Sequence, residues 1–324
     1  MYKVSVVIPT YNAGRYIERC ARSLFEQTLE AVEYIFIDDC STDDSMQVLE
    51  SVLAAYPHRL PHTRIIKLTS NIGAANVRRK GIELATGDYI IQCDSDDWVE
   101  RDMYKLMYQK AIAGNYDMVV CDIDYLGKDK SQALQHSNKS LIFIDFLIGN
   151  LDCALWNKLV KRQIFSNDII YPTAHLAEDF ALTPQLTHYC SNIGHVGKAL
   201  YHYCLNSESV TKASSTKNIL SKVYQQRQNI NILFDFFNRE CIVLPDYVIA
   251  VIKWRCRIWL SPIIGTNYGY RLWRSLYPEL NHTFLHYKAI PLRKKVNFIL
   301  CYLRISPIIR LYRHWKGMSK TANG

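Results

Sequence analysis

The chain has 324 residues, of which 49% are hydrophobic and 21% charged, with a formal net charge of +9. This length allows one large core, or an α/β domain with a smaller appendage, and the composition excludes a largely disordered protein. No stretch reaches the roughly 18 to 20 uninterrupted apolar residues of a membrane-spanning helix, and Met1-Tyr2-Lys3 leads straight into a strand-like run, so we expect no secretory signal. The ten cysteines form no CxxC pair and no Cys/His cluster at zinc-ligand spacing, which favours reduced thiols in the cytosol.

The charge is distributed unevenly along the chain. Residues 1–246 contain 25 Lys and Arg against 29 Asp and Glu, whereas residues 247–324 contain 14 against the single acid Glu279. This asymmetry indicates a basic C-terminal surface that meets phosphate, either of anionic lipid or of nucleic acid. A basic face that is merely solvated is the alternative.

In chain order, the first part alternates strands with amphipathic helices. The pattern predicts strands at residues 4–9, 34–37, 64–68, 89–93 and 117–121. It predicts helices over residues 17–25, from an N-cap within residues 41–43 to residue 53, and over residues 74–85. Such alternation indicates an α/β fold with a mostly parallel sheet covered by helices on both faces.

The alternation breaks up after about residue 131, and residues 218–237 read as a long amphipathic helix. From Trp254 onward, aromatic and basic residues interleave up to His314-Trp315-Lys316. Apolar rings beside cations are what a helix at a membrane interface needs, so we favour peripheral attachment to an anionic membrane. Nucleic-acid binding is the weaker alternative, because no recognition motif accompanies the charge.

The acidic run Asp94-Ser95-Asp96-Asp97 closes the fourth predicted strand. Three carboxylates in four residues repel one another unless a cation or strong donors lie among them. Mg²⁺ or Mn²⁺ held by one or two carboxylates and a substrate diphosphate would relieve this repulsion. A solvated turn or a helix N-cap is the alternative.

Two further pairs of acidic residues are candidates for the site. Asp38-Asp39 ends the second predicted strand, where its carboxylates can accept from a uracil imide or from ribose hydroxyls; an N-cap role is the alternative. Glu178-Asp179 precedes a short predicted helix in which Pro184 is tolerated only in the first turn. Ligands of parallel sheets bind beyond the carboxyl ends of the strands, so we expect the acids that follow strands 1, 2 and 4 to converge.

Five segments occur in a fixed order through residues 4–98. They read Val6-Val7-Ile8-Pro9-Thr10-Tyr11-Asn12, Ile35-Phe36-Ile37-Asp38-Asp39-Cys40-Ser41-Thr42-Asp43, Asn71-Ile72-Gly73 with Arg78 and Gly81, Ala85-Thr86-Gly87-Asp88-Tyr89-Ile90, and Asp94-Ser95-Asp96-Asp97-Trp98. In order and spacing they resemble the family 2 glycosyltransferases of GT-A fold. Trp156-Asn157-Lys158 and Glu178-Asp179 look like that family's acceptor-side and base motifs, so the resemblance covers residues 1–210.

The resemblance implies an inverting, metal-dependent transfer from a nucleotide-sugar, with UDP as the carrier, to a saccharide or lipid-linked saccharide in surface-polysaccharide assembly. It assigns Asp179 as the base. It assigns Asp96 first and Asp94 second as ligands of Mn²⁺ or Mg²⁺. The residues it assigns to the nucleotide-sugar are Pro9, Tyr11, Asp38, Asp39, Arg78, Asp94, Ser95 and Asp96. Those it assigns to the acceptor side are Asp97, Trp98, Trp156, Asn157, Lys158 and Glu178. Cys40 departs from the usual glycine, and Arg79 from a frequent asparagine.

The expected architecture is a GT-A domain with a Rossmann-like mixed sheet over residues 1–210, followed by a helical, basic, membrane-associating region over residues 211–324. Within the GT-A domain, residues 1–125 are the nucleotide-sugar half and residues 126–210 the acceptor half. The expected location is the cytoplasm, at the inner face of the membrane. A sugar-phosphate nucleotidyltransferase and a non-catalytic sugar-nucleotide-binding protein remain as alternatives, and we leave out His175, His188 and His202 as more often structural.

Overall fold

A computed structural model describes residues 1–125, 129–130, 132, 134, 138–204 and 215–305. Residues 306–324, with the predicted aromatic and basic cluster at residues 314–316, lie outside these ranges. The chain divides into two compact units, Met1–Ser209 and Val210–Gly324, and each is treated by itself below.

The first unit contains one mixed sheet between helices. Its strands within the described residues are β1 (Val4–Thr10), β2 (Val32–Asp38), β3 (Thr63–Lys67), β4 (Tyr89–Gln92), β5 (Trp98–Val99), β6 (Met118–Tyr125), β7 (Asp129–Lys130), β8 (Lys158–Lys161) and β9 (Ile193–Tyr203). Its helices are α1 (Ile17–Phe25), α2 (Ser45–Ala54), α3 (Ala74–Leu84), α4 (Met103–Ala113), α5 (Lys139–Ile148) and α6 (Glu178–Tyr189), with 3₁₀ turns at Pro57–His62 and Arg162–Ser166.

The strand order is β3-β2-β1-β4-β8-β6-β9-β5, with β7 paired to β6. The four strands from β3 to β4 are parallel to one another, whereas β8 runs antiparallel to both β4 and β6. β6 and β9 are parallel, and the short β5 pairs antiparallel with the end of β9. The predicted mixed α/β sheet is therefore confirmed.

Both faces of the parallel half are covered, because side chains alternate along β1. Val6 and Ile8 pack in a core that includes the inner face of α1, whereas Val7 packs against Val77 and Ile82 of α3. This two-sided burial explains why the strand is almost continuously apolar in sequence.

The register of the parallel strands brings three chain segments to one edge of the sheet. Thr10 of β1 lies opposite Asp38 of β2, and the Asp39 amide donates to the Thr10 carbonyl at 2.8 Å. On the other side of β1, Val7 lies opposite Gln92 of β4, directly before the acidic run. The segments after β1, β2 and β4 therefore emerge together, as the sequence predicts.

Two local predictions were wrong. α2 begins at Ser45 with Asp44 as its N-cap, one residue beyond the predicted range, because Ser41 and Thr42 bond to the loop after β1; Asp43 Oδ1 still accepts from the Ser45 amide at 3.1 Å. Pro184 lies in the interior of α6, where it cannot donate the usual amide hydrogen bond. Residues 180–187 are all buried, so tertiary packing holds α6 despite the missing bond.

Within its described residues the second unit is helical. Its helices are α7 (Thr216–Arg239), α8 (Asp246–Arg257), α9 (Asn267–Ser275), α10 (Leu280–Thr283) and α11 (Leu292–Tyr302), with a 3₁₀ turn at Ile258–Leu260. The predicted C-terminal helical basic region is confirmed to be helical. None of the helices in the described ranges has both the length and the apolar character needed to cross a bilayer.

The core of the second unit contains a fully buried arginine. The Arg257 guanidinium lies 3.9 Å from the Trp273 ring centroid, and its Nε donates to the Trp273 carbonyl at 2.7 Å. Phe298 of α11 packs against the same Trp273 ring and against Phe284. α11 is therefore anchored to the core through one face.

Candidate active site

The loops that follow β1 and β2 are tied to each other. The Asn12 amide donates to Ser41 Oγ at 3.0 Å, and Asn12 Oδ1 accepts from the Thr42 amide at 2.8 Å. Pro9, one residue before the end of β1, pairs in register with Ile37, and Tyr11 follows with 52% of its surface exposed. These bonds fix the backbone around Tyr11 and leave its ring open to stack on a planar ligand.

Asp38 and Asp39 are both buried, and the carboxylates of both accept hydrogen bonds from backbone amides. Asp38 Oδ1 accepts from the Ser41 amide at 3.0 Å. The two Asp39 carboxylate oxygens accept from the amides of Ile72 and Gly73, at 2.7 and 2.8 Å. Asp39 therefore shapes the loop before α3, and any nucleoside contact would have to use its remaining lone pairs.

Two backbone positions in these loops lie in the left-handed region. Gly73 has φ +81°, and a Cβ there would lie 1.8 Å from Cε1 of His175, so glycine is required. Cys40 has φ +65°. The departure from the family's usual glycine thus occurs where a side chain strains the backbone.

Arg78 on α3 links the acidic run to the start of α6. Its Nη2 donates to Asp94 Oδ1 at 2.6 Å, its Nη1 donates to Glu178 Oε1, and the side chain is 13% exposed. Burial alone lowers the pKa of Arg78, but the carboxylates of Asp94, Glu178 and Asp179 outweigh it and raise that pKa. One guanidinium thus neutralises carboxylates that are distant in sequence.

The members of the acidic run have different surroundings. Asp94 keeps 24% of its side chain exposed, and the Asp96 carbonyl accepts from Arg19 Nη2 at 3.2 Å. Ser95 is 9% exposed and Asp97 only 1%. The run therefore presents Asp94 and Asp96 outward and turns Asp97 into the protein.

Asp97 is held by groups from β9 and the residue after it. Its Oδ2 accepts from the Tyr201 hydroxyl at 2.6 Å, and its Oδ1 accepts from the Cys204 amide at 2.7 Å. Burial, with repulsion from Asp94 and Asp96, raises the pKa of Asp97 to about 8. These contacts give Asp97 a structural environment beneath the run, not an open acceptor surface.

Asp179 combines burial with an unused acceptor atom. It follows Glu178 at the N-terminus of α6, whose N-cap Ala177 has φ +60°. Within the described structure, Asp179 Oδ1 is buried without a hydrogen-bond partner. Burial and then the Glu178 carboxylate raise the pKa of Asp179 well above its usual range, against Arg78 and Lys158. Burial likewise raises the pKa of Glu178.

The predicted acceptor-side residues before β8 are mostly buried. Lys158 Nζ donates to the carbonyls of Asp152 and Ala154 and to Asn157 Oδ1 within 2.8 Å, and burial lowers its pKa. Asn157 is fully buried and its Nδ2 donates to the Cys121 carbonyl. The positive charge of Lys158 also lies close enough to Asp179 to lower the pKa of that carboxyl group.

The aromatic residues of the predicted acceptor side form two stacks with β9. Trp156 stacks on Tyr201 with centroids 4.1 Å apart, and Trp98 stacks on His202 at 3.5 Å. His202 also contacts Asp124 through Nδ1 and Glu100 through Nε2. Trp98 is thereby fixed directly after the acidic run.

Sequence reasoning missed Tyr201. Its hydroxyl accepts from the Asp94 amide at 3.1 Å while it donates to Asp97, so it bridges both ends of the acidic run. It lies 107 positions after Asp94 in a strand that carries no motif.

Asp94 and Asp96 are the candidate ligands of a divalent cation. Among the described side chains, no three His, Cys, Asp or Glu are grouped closely enough to hold a metal ion by themselves. Asp94 and Asp96 nevertheless supply hard oxygen donors, and such cations in nucleotide sites take one or two carboxylates plus substrate phosphates. The residues fit Mg²⁺ or Mn²⁺ only together with a diphosphate.

Comparison with known proteins agrees with this arrangement. The model of the family "Glycosyl transferase family 2" matches residues 5–182. An uncharacterized glycosyltransferase of Escherichia coli K12, YibD, is 30% identical over 76% of this chain and 75% of its own length. Among solved structures, residues 1–349 of S. aureus TarS in complex with UDP-GlcNAc superpose with TM-score 0.58 at 18% identity, covering 88% of this chain and 92% of that one. A mannosyltransferase from Pyrobaculum calidifontis in complex with GDP-Man and Mn²⁺ gives 0.51 at 12% identity, covering 96% and 87%.

The structural likeness confirms the predicted GT-A fold. The family match covers the segments after β1, β2 and β4, the acidic run and the start of α6, whereas β9 follows the matched residues. This chain therefore belongs to glycosyl transferase family 2, and it is a glycosyltransferase.

Proposed function

We propose that this glycosyltransferase moves a sugar from a UDP-sugar to a hydroxyl of a saccharide or lipid-linked saccharide, with inversion at the anomeric carbon. One observation carries the proposal. Asp179, which is partly exposed but has a buried and unused Oδ1, lies beside Arg78 and Asp94 at the carboxyl edge of the parallel strands. A base beside a cation and an acidic run is the arrangement that glycosyl transfer to a hydroxyl requires.

The donor side is supported by the loops after β1 and β2. The exposed Tyr11 ring offers a stacking face, and Asp38 and Asp39 offer acceptors to an imide N–H, which uracil has and cytosine lacks. The TarS complex contains UDP-GlcNAc and the P. calidifontis complex contains GDP-Man, so both structural relatives bind nucleoside-diphosphate sugars. A nucleoside diphosphate with a uracil base fits these features best.

The reaction is a single displacement. Asp179 accepts the proton of the acceptor hydroxyl, whose oxygen forms a bond to the anomeric carbon. The bond between that carbon and the diphosphate oxygen breaks at the same time, and its electron pair leaves with the nucleoside diphosphate. Arg78, held by Asp94 and Glu178, keeps positive charge where the leaving diphosphate gains negative charge. Attack from the face opposite the leaving group inverts the configuration.

Metal dependence is part of the proposal. Asp96 and Asp94 would hold Mg²⁺ or Mn²⁺ together with the diphosphate, and the cation would stabilise the charge of the leaving group. The acceptor side would be bounded by Trp98 and Trp156, with Lys158 and Asn157 holding the backbone behind them.

We further place the enzyme at the cytoplasmic face of an anionic membrane, in the assembly of a surface polysaccharide. The excess of cations in residues 247–324 supports attachment to anionic lipid. Such attachment would bring the site to an acceptor carried on a lipid. Nucleic acid is the less favoured partner for the basic residues 247–324.

The test is donor turnover. The protein is incubated with a panel of nucleotide-sugars and a saccharide acceptor, with Mn²⁺ or with a chelator, and nucleotide release and product anomeric configuration are measured. Asp179→Asn should lower turnover by roughly 10²–10⁴-fold with the fold intact. Glu83→Gln, the same acid-to-amide change at an exposed site on α3, is the matched control and should turn over normally.

Three results would refute parts of this proposal. Release of pyrophosphate would indicate a nucleotidyltransferase, and nucleotide-sugar binding without turnover would indicate a binding protein. Near-wild-type transfer by Asp179→Asn would show that Asp179 is not the base.

A further inference from the structure

The outer face of α11 carries an apolar stripe open to solvent. Leu292, Val296, Ile299 and Leu303 are 76%, 44%, 41% and 56% exposed. With 3.6 residues per turn, these four side chains fall within about 60° of the helix circumference and extend along about 16 Å. Four aliphatic side chains aligned in this way form a continuous exposed surface, in contrast to scattered single exposures.

The opposite face of α11 fixes the direction of the stripe. Phe298 and Cys301 are buried, and Phe298 contacts the rings of Trp254, Trp273 and Phe284 in the core of the second unit. Because the core holds this inner face, the helix cannot turn its stripe inward without losing those contacts.

Cations border the stripe on both sides. In helical projection, Arg293 lies about 100° from Leu292 on one side and Lys295 about 60° on the other. Lys294 lies near Arg255 and Arg293, and burial followed by repulsion from these two cations lowers the pKa of Lys294. Glu279, the single acid in residues 247–324, is paired with Lys253 at 2.6 Å.

We propose that α11 is an in-plane membrane anchor, with the stripe Leu292, Val296, Ile299 and Leu303 inserted among the acyl chains of an anionic leaflet. Arg293 and Lys295 extend sideways to lipid phosphates, since long basic side chains keep their charge at the headgroups while their methylenes lie deeper. The charge complementarity selects a lipid surface over a protein groove as the occupant. The inference rests on the proposed membrane location but not on the proposed transfer reaction.

The full chain is tested by co-sedimentation with two kinds of vesicle, phosphatidylcholine alone and phosphatidylcholine mixed with phosphatidylglycerol. The wild type should bind the mixed vesicles, more weakly as salt rises. Val296→Gln/Ile299→Gln should lower the partition coefficient by roughly tenfold or more at every salt concentration. Arg293→Gln/Lys295→Gln should weaken binding mainly at low salt and flatten the salt dependence.

Val243→Gln is the matched control, because Val243 is 93% exposed but lies outside α11. It should bind vesicles as the wild type does. Thermal unfolding of each variant checks the fold, and nucleotide release with a water-soluble acceptor is measured without vesicles. Weak vesicle binding with normal nucleotide release in the stripe variant supports the anchor. Absence of nucleotide release by the wild type would contradict only the proposed transfer reaction and would leave the anchor standing.

Two outcomes would overturn the anchor. One is wild-type vesicle binding by the stripe double variant, which would mean that residues 306–324 or another surface carries the membrane contact. The other is a concentration-dependent dimer that the stripe variant abolishes while vesicle binding is unchanged, which would make a second copy of this chain the occupant.

Discussion

Replacing Arg78 by glutamine should expose how the acids of the site are held together. In the folded protein, Arg78 donates to Asp94 and to Glu178, and only 13% of its side chain is exposed. Asp179 adds a third negative charge nearby. Arg78→Gln keeps a polar side chain but leaves three carboxylates without their shared cation.

The magnitude follows from the burial of these groups. Removing one partner of a buried ion pair costs about 3–5 kcal/mol, because the remaining charge stays uncompensated. For a unit of this size, each kcal/mol shifts Tm by about 2–4 °C, so Tm should fall by roughly 10 °C at neutral pH. Protonating the carboxylates relieves the repulsion.

The loss of stability in Arg78→Gln should depend on pH. Burial raises the pKa values of Glu178 and Asp179 in the folded protein, and Arg78 opposes both shifts. Without Arg78 these pKa values rise further, so the folded state of the variant is favoured by protonation. The Tm deficit of Arg78→Gln should therefore be small near pH 5 and grow as the pH rises to 8.

The assay is thermal unfolding from pH 5 to 8, and Arg79→Gln is the matched control. Arg79 is the next residue on α3, but it is 51% exposed, pairs along the helix with Glu83 and lies over the Tyr171 ring, so its loss should cost only about 1 kcal/mol. If Arg78→Gln melts within 2 °C of the control across this range, as judged against the expected ~10 °C, the guanidinium does not hold the acids together.

Four further changes test other parts of the site. Tyr201→Phe removes the hydroxyl between the ends of the acidic run; we expect about 2–3 kcal/mol less stability in urea unfolding and a higher KM for the donor. Burial raises the pKa of Asp97 to about 8, so protonated Asp97 favours the folded state at acid pH, and this contribution is lost as the pH rises toward 8. Asp97→Asn should therefore flatten the decline in the free energy of unfolding measured across this pH range. Cys40→Gly should raise stability by about 1 kcal/mol by relieving the left-handed backbone, whereas Gly73→Ala should lower it by about 1–3 kcal/mol; a reversed sign in either melt would contradict the strain argument.

The edge of the sheet that carries the site could be predicted because it depends on local pattern. An apolar run of β-branched residues followed by polar ones identifies each parallel strand and its carboxyl end, and parallel pairing then brings those ends together. Asp39 and Asp94 were located in this way. The start of α6 was located only through the family resemblance, since an acid at a helix start is common for dipole reasons alone.

The depth of individual side chains could not be predicted from the local pattern. The family resemblance assigns Asp97 to the acceptor side, yet Tyr201 and the Cys204 amide hold it inside the protein. That burial follows from β9 pairing with both β5 and β6, a long-range arrangement that no local periodicity encodes. Lysine is rarely buried, but two carbonyls and the Asn157 side chain in the turn before it enclose the Lys158 ammonium group.

The same surroundings explain both the cost of Asp179 to the fold and its suitability for the proposed role of base. A buried carboxylate oxygen without a partner, beside another carboxylate, disfavours the ionised folded state, and the raised pKa expresses that cost. A raised pKa also makes the ionised form a stronger proton acceptor near neutral pH. The positive charges of Arg78 and Lys158 lower the pKa of Asp179 and so limit how far burial raises it. A still higher pKa would keep Asp179 protonated at neutral pH and unable to accept a proton. Stability and activity at this position are therefore set by one electrostatic balance, and a substitution that improves the first by removing the charge should abolish the second.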